Sequence, residues 1–293
     1  MIKCKGKQSL VAGLLMLSAL LPATTQADSS VWKVSKNNDH IFIGGTVHIL
    51  PPSAFPLPKE FEYAYNNTHS IALETKLPEQ SDTGFQMKMM QQMTYENGDL
   101  LKDFISTQTY QELSRYVKTL GADLAMFEQF KPGFLMTMLA MLEVEKAQLS
   151  GEGVDAFYST KANTDKKPIA YFEEVSFQLS MIANMGAGDE ERFIKSSLSQ
   201  MRDFKTLFTG LLTAWRAGNE QQLYELGIKP MEDDPSTIDA LLIQRNKNWI
   251  PHIERMFTND SHKEFVLVGV AHLVGRDSVL ALLKAQGYNI EKI

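Results

Sequence analysis

The sequence predicts an α/β fold, with α+β as the alternative, built on a central mixed sheet whose strands come from both ends of the chain. Short apolar runs of strand-like composition cluster near the two ends, and the stretch between them is a large insertion with mostly helical periodicity. Two of the strand-like runs end in the same tetrad, Gly-x-x-His, so one half-unit is used twice. The runs are 31–36, 40–44, 70–75, 168–173, 264–268 and 288–293.

The first two runs predict a hairpin, because residues 37–39 (Asn-Asn-Asp) supply turn residues between them. The next two are compact buried-type strands, and each ends close to a carboxylate, Glu74 and Glu173 respectively. The run at 264–268 predicts the last buried strand, and the final run predicts a terminal edge strand.

Helical patterns occupy most of 80–150 and 175–258. A long apolar helix is predicted over 134–149, with Pro132 in its first turn. Further helices are predicted over 109–120, 154–163 and 275–286, and a short one through Phe61 and Tyr65.

The first residues have the pattern of a secretory signal peptide. Three lysines precede an apolar stretch at 10–21, Pro22 follows it, and residues 25–27 (Thr-Gln-Ala) offer a small-residue cleavage site. We therefore expect residues 1–27 to be removed after Ala27, leaving a single domain over 28–293. An uncleaved N-terminal anchor is the alternative.

Cleavage would change the composition of the chain. It removes Cys4, the sole cysteine, so the mature chain would have no disulfide or thiolate ligand. It also removes three lysines and no acid, which takes the net charge from −6 to −9. An acidic chain without a basic run argues against a nucleic-acid partner, and no later apolar run is long enough for a membrane anchor. A periplasmic or secreted protein is expected.

The two Gly-x-x-His tetrads end at His48 and His272. A single histidine after a strand is usually structural, but identical contexts suggest that these two meet at one site. Two imidazoles and a strand-terminal carboxylate would suit a hydrolytic metal centre, and Glu74 and Glu173 are the candidate acids. For Glu173 the alternative is capping of the following helix. Arg245, in an apolar helical stripe, could stabilise an oxyanion or pair with an acid.

A methionine-rich run at 85–93 has three interpretations: a core or helix interface, an adaptable substrate groove, or a copper(I) site through the methionines. The other histidines are expected at the surface. The chain contains no P-loop, Gly-x-Ser-x-Gly or His-Glu-x-x-His motif. The copper(I) interpretation involves Met87, Met89, Met90 and Met93. The histidines expected at the surface are His40, His69, His252 and His262.

Taken together, the motifs resemble the TraB/GumN family, which is related to Tiki-type metalloproteases and more distantly to the erythromycin-esterase and ChaN-like fold. The matching stretches occur in the expected order along almost the whole predicted mature chain. They are 44–50, 72–74, 153–155, 167–169, 172–173, 178, 245–246 and 268–275, continuing into 282–283 and 287–288.

The resemblance implies an exported metal-dependent hydrolase that favours a peptide or protein substrate. It implies His48, His272 and Glu74 as ligands of manganese, cobalt or zinc, and Arg245 as the oxyanion stabiliser. The family's usual Leu-Glu-Thr is replaced here by Phe-Glu-Glu at 172–174, so either Glu173 or Glu74 could handle the proton. The alternative function is a non-enzymatic periplasmic binding protein for a peptide, haem or envelope polymer.

Overall fold

A computed structural model describes residues 29–76, 82–258 and 262–293. Among these, six strands form one mixed sheet in the order β4-β3-β5-β2-β1-β6. The predicted signal peptide lies outside the described residues. The strands are β1 (Val31–Lys36), β2 (Asp39–Thr46), β3 (Ser70–Thr75), β4 (Ile169–Glu173), β5 (Glu264–Gly269) and β6 (Asn289–Lys292).

The sheet has a parallel half and an antiparallel half. Strands β4, β3, β5 and β2 run parallel to one another, whereas β1 is antiparallel to both of its neighbours, β2 and β6. The predicted hairpin is therefore confirmed as β1–β2, and the predicted terminal edge strand as β6. The α/β class with a mixed sheet is confirmed.

Helices surround the sheet, and most of them lie in the predicted insertion between β3 and β5. None of the described helices is long and apolar enough to cross a membrane. The helices are α1 (Lys59–Asn66), α2 (Thr83–Met93), α3 (Thr107–Thr119), α4 (Pro132–Lys146), α5 (Val154–Asp165), α6 (Val175–Asn184), α7 (Glu190–Met201), α8 (Phe204–Arg216), α9 (Glu220–Leu223), α10 (Pro235–Ile238), α11 (Gln244–Glu254) and α12 (Val279–Ala285).

Within the described parts of the chain, three buried clusters hold these layers together. One face of the sheet packs against aromatic residues that include Phe61 and Trp215, and the other face packs against Trp249. A third cluster joins α3, α4 and α7, with Leu113 and Leu139 fully buried in it. The sheet thus lies between two apolar layers, as buried parallel strands require.

The order of the strands brings the two Gly-x-x-His tetrads together. β2 and β5 are neighbours and parallel, and Thr46 pairs with Gly269. Both strands therefore end at the same edge of the sheet, where His48 follows β2 and His272 lies in the short 3₁₀ helix Val270–Leu273 after β5. A Cβ on Gly45 would stand only 2.7 Å from Val270 Cγ2, so the close packing of the two units requires glycine there.

Candidate active site

Arg245, at the start of α11, joins two buried carboxylates. Its Nη2 donates a hydrogen bond to Glu74 Oε2 at 2.6 Å. Its Nε and Nη2 grip Glu173 as a fork, each at 2.9 Å from a carboxylate oxygen. Trp249 Nε1 also donates to Glu173 Oε1 at 2.9 Å, and Gln178 Nε2 reaches Glu173 Oε2 at 3.1 Å and Glu74 Oε2 at 3.3 Å. Both oxygens of Glu173 are therefore occupied by donors.

The ends of β3 and β4 deliver these two acids, as the sequence predicts. The Glu173 side chain pairs with Arg245, so it does not cap the following helix, which was the alternative. The residue at the start of α6 is Glu174, and its side chain makes no capping hydrogen bond. Arg245 is held in turn by its own helix, because Nη1 donates to the carbonyl of Leu241 at 3.0 Å. Leu241 lies in the π-helical turn Asp239–Ile243, where the regular hydrogen-bond pattern is altered.

Glu74 stays ionised in this buried position. Burial by itself would raise the pKa of its carboxyl group, but the neighbouring positive charges and the N–H of Gly269 lower that pKa to about 2. The hydrogen bond from Gly269 N to Glu74 Oε1 is 2.6 Å long. His272 is neutral at pH 7, so the cationic His48, Arg245 and the N–H of Gly269 provide this stabilisation at that pH.

His272 is buried, and its neighbours fix its tautomer. Arg245 Nη1 lies 3.1 Å from His272 Nε2, and an arginine can only donate, so Nε2 accepts. The proton is therefore on Nδ1, which donates to Asn246 Oδ1 at 2.6 Å. Asn246 Nδ2 donates to the carbonyl of Asp277 at 2.8 Å, which sets the orientation of the amide. Burial is the main cause that lowers the pKa of His272 to about 4.

His48 has the opposite environment. Its side chain is 65% exposed at the rim of the site, and its Nδ1 lies 3.2 Å from Asp155 Oδ2 in the first turn of α5. The hydrogen bond to this carboxylate is the main cause that raises the pKa of His48 to about 9. Two histidines in identical motifs are thus held in different protonation states, one cationic and one neutral at pH 7.

Gly269 marks the point where these groups converge. A Cβ built on Gly269 would lie 3.2 Å from Glu74 Oε1, 3.6 Å from His272 Cδ2 and 3.8 Å from His48 Nε2. The two histidine rings and the carboxylate therefore border one small space beside a residue without a side chain. Nδ1 of each ring points to an oxygen acceptor, so Nε2 of each ring is the nitrogen on the side of the site.

The donor types around this space fit a divalent cation. Imidazole nitrogen and carboxylate oxygen suit zinc, manganese or cobalt, and the oxygen on each Nδ1 is the outer support that metal-bound histidines usually have. Within the part of the chain that the structure describes, however, no three His, Cys, Asp or Glu side chains are arranged as a ligand set. Arg245 Nη1 occupies His272 Nε2, so full ligation requires that this hydrogen bond opens.

The structure brings His48, His272, Glu74, Glu173 and Arg245 to one edge of the sheet. Motif stretches also contain Asp155, Asn246 and Gln178, but sequence reasoning assigned these residues no role. Their polar contacts, together with that of Trp249, complete the site. The only sequence signal for Asp155 and Asn246 is their place in the motif stretches 153–155 and 245–246, which does not reveal that each contacts a motif histidine.

The remaining candidates lie elsewhere. Met93, the last residue of α2, is fully buried, but Met87 is 70% exposed, so the run is only partly buried. His69, His252 and His262 are exposed as predicted, and His40 is partly buried.

These features define a polar site at the carboxyl edge of a parallel half-sheet, built from repeated Gly-x-x-His units. The chain belongs to the TraB/PrgY/gumN family, whose model matches residues 30–292. The resemblance seen in the sequence is thereby confirmed. Searches among curated proteins and among solved structures found no significant match.

Proposed function

We propose that this protein is an exported hydrolase of peptide bonds that works with a divalent cation at the space beside Gly269. The observation that carries the proposal is the convergence of His48 Nε2, His272 and Glu74 Oε1 around that one position. Family membership agrees with it at a coarser level.

His48, His272 and Glu74 are the residues that would hold the cation. A bound divalent cation supplies a Lewis acid for the scissile carbonyl and lowers the pKa of a water molecule. Because the pKa of His48 is raised to about 9, its Nε2 must lose a proton before it can act as a ligand. Cation binding should therefore release a proton and weaken as the pH falls.

The chain's own residues have separate tasks in this scheme. Glu173 binds Arg245 through both oxygens and is not among the groups nearest to Gly269, so it positions Arg245 rather than carrying a proton. Glu74 Oε1 borders the reaction space and is the better candidate for proton transfer. Arg245 Nη1, once released from His272 Nε2, would be available to stabilise negative charge on the carbonyl oxygen.

The proposal is tested by peptide turnover. The chain starting at residue 28 would be incubated with a mixed-sequence decapeptide library and manganese, cobalt or zinc, with and without a chelator, and the new N-termini measured. We expect cleavage that the chelator abolishes and that Glu74→Gln and Arg245→Lys reduce at least about 100-fold, the scale of one lost electrostatic group. Tight binding without cleavage by the wild type would instead indicate a binding protein.

Export is tested separately. In cells that express the full chain, we expect a periplasmic protein whose N-terminus is residue 28. A cytoplasmic protein that retains residue 1 would contradict export without bearing on the hydrolytic site.

A further inference from the structure

We propose that the outer edge of β4 docks the main chain of the substrate. An extended peptide would pair with this edge as an added strand, and its continuation would cross the carboxyl ends of the sheet to reach the site. This inference rests on the proposed function, because it takes the substrate to be a peptide.

β4 is an edge strand whose outward groups can be assigned. It pairs with β3 alone in the sheet formed by the described residues. Ile71 N donates to the carbonyl of Pro168, and Ile71 pairs with Ile169. In a parallel ladder this means that residues 168, 170 and 172 face β3, whereas the N–H and C=O groups of Ile169 and Tyr171 point outward. Such a row recognises an extended main chain and not a particular side chain.

The two edges of the sheet differ in protection. Edge strands usually carry charges that discourage pairing with another chain. β6, at the far edge, includes Glu291 and Lys292. β4 reads Ile-Ala-Tyr-Phe before it reaches Glu173, without a charge or a proline in those four residues. Ala170 and Tyr171 are nevertheless exposed, with Tyr171 at 37%.

The edge also leads into the site. β4 ends at Glu173, which binds Arg245. Two residues later α6 begins, and its first turn presents Phe177, which is 45% exposed, next to Gln178, which contacts both site carboxylates. A peptide that leaves the edge of β4 therefore meets an exposed aromatic ring beside the polar cluster.

The geometry sets a minimum length for the substrate. An added strand would lie three strand positions from β5, or about 14 Å at roughly 4.8 Å per strand, which about four extended residues can span. Pairing along Ile169–Glu173 needs about four more. Peptides of about eight residues or more should bind through the edge, and tetrapeptides should not.

Proline substitutions in β4 distinguish an effect on peptide docking at the outer edge from an effect on the stability of the fold. Tyr171→Pro removes an N–H that points outward, which an edge strand tolerates, whereas Ala170→Pro removes an N–H that faces β3. Tyr171→Ala is the matched control, since it deletes the side chain and keeps the N–H. Binding of fluorescein-labelled mixed-sequence decapeptides would be measured by anisotropy in the His272→Ala background, and KM for cleavage in the wild-type background.

We expect Tyr171→Pro to weaken binding and raise KM about fivefold, the scale of one backbone hydrogen bond, at unchanged kcat. Tyr171→Ala should change both less than about twofold, and Ala170→Pro should unfold the protein at lower urea. Equal binding by Tyr171→Pro and wild type would overturn the proposal. So would a dimer, seen by light scattering, that Tyr171→Pro dissociates, because the occupant would then be a second copy.

If Tyr171→Pro fails to fold, amide hydrogen exchange in the wild type decides. Slower exchange at Ile169 and Tyr171 with decapeptide supports docking, and unchanged exchange contradicts it. Docking and hydrolysis can fail separately. Peptides that pair with the edge but are never cut would contradict only the proposed activity. Cleavage with unaltered KM in Tyr171→Pro would contradict only the docking.

Discussion

Arg245 Nη2 and Glu74 Oε2 meet at 2.6 Å, although 171 residues separate them in the sequence, and their side chains are only 6% and 10% exposed. Through the same guanidinium Arg245 also holds Glu173. One cation thus serves two buried carboxylates, and the candidate site depends on it for both stability and charge.

Removing the guanidinium should be costly for the fold. Arg245→Leu leaves two buried carboxylates without their cation, and we expect the free energy of unfolding to fall by about 3–5 kcal/mol in urea titrations. Adding Glu74→Gln and Glu173→Gln to Arg245→Leu should recover part of that loss, since no buried charge is then left uncompensated. A single-variant loss below about 1 kcal/mol would show that the cluster is not charged as described.

Filling the space beside Gly269 should abolish function without unfolding the protein. The φ and ψ angles of Gly269, −50° and 132°, suit alanine, and the nearest atom to a new Cβ is Glu74 Oε1 at 3.2 Å. We expect Gly269→Ala to keep a thermal transition near that of the wild type while cation binding and peptide cleavage are lost.

Gly84→Ala, in the solvent-exposed start of α2, is the matched control and should retain both. Normal cleavage by Gly269→Ala would mean that the reaction takes place somewhere else.

The His48–Asp155 pair should make stability depend on alkaline pH. Because the pKa of His48 is raised from 6.5 to about 9 in the folded state, the pair stabilises the fold fully below pH 6.5 and loses this contribution as the pH rises through about 9. The exposure of the ring keeps the effect small, since solvent screens the pair.

Nuclear magnetic resonance titration checks the assignment directly. Asp155→Asn should bring the pKa of His48 back toward 6.5 and remove the alkaline slope of unfolding. An unchanged His48 titration in Asp155→Asn would show that the carboxylate does not hold this ring.

His272 should make the stability of the fold decrease at acid pH, whereas His48 makes it decrease at alkaline pH. Burial lowers its pKa from 6.5 to about 4, so the unfolded chain binds a proton that the folded chain does not. Its contribution to stability is present above pH 6.5 and is lost as the pH falls toward 4. We expect this slope in urea titrations of wild type and not of His272→Gln, and a ring spectrum with the proton on Nδ1 at neutral pH. A ring that titrates near pH 6.5 would refute the assignment.

Local sequence patterns are sufficient to predict the positions of most of the strands. The strand predicted over 70–75 is β3 without change, because a short apolar run bounded by polar residues has few other solutions. The helix predicted over 134–149 is α4, displaced by two or three residues at its ends, where composition hardly changes from one position to the next.

Partners across the fold are harder to predict. β2 and β5 are neighbours in the sheet although the whole insertion lies between them in the sequence, so the matching motifs of His48 and His272 suggest their convergence without requiring it. Asp155 is an acid in the first turn of a helix, a place where acids are common for reasons of helix electrostatics alone. Its contact with His48 is a tertiary feature that leaves no separate trace in the sequence.

The most direct test of the central claim is cobalt(II) titration followed by visible absorption, with wild type, His48→Ala, His272→Ala and the control His252→Ala, which alters an exposed histidine of α11. If the two motif histidines are opposite sides of one cation site, wild type and His252→Ala will bind one cobalt ion per chain, and both motif variants will lose the ligand-field band. Equal binding, or equal absence of binding, in all four proteins would contradict the account.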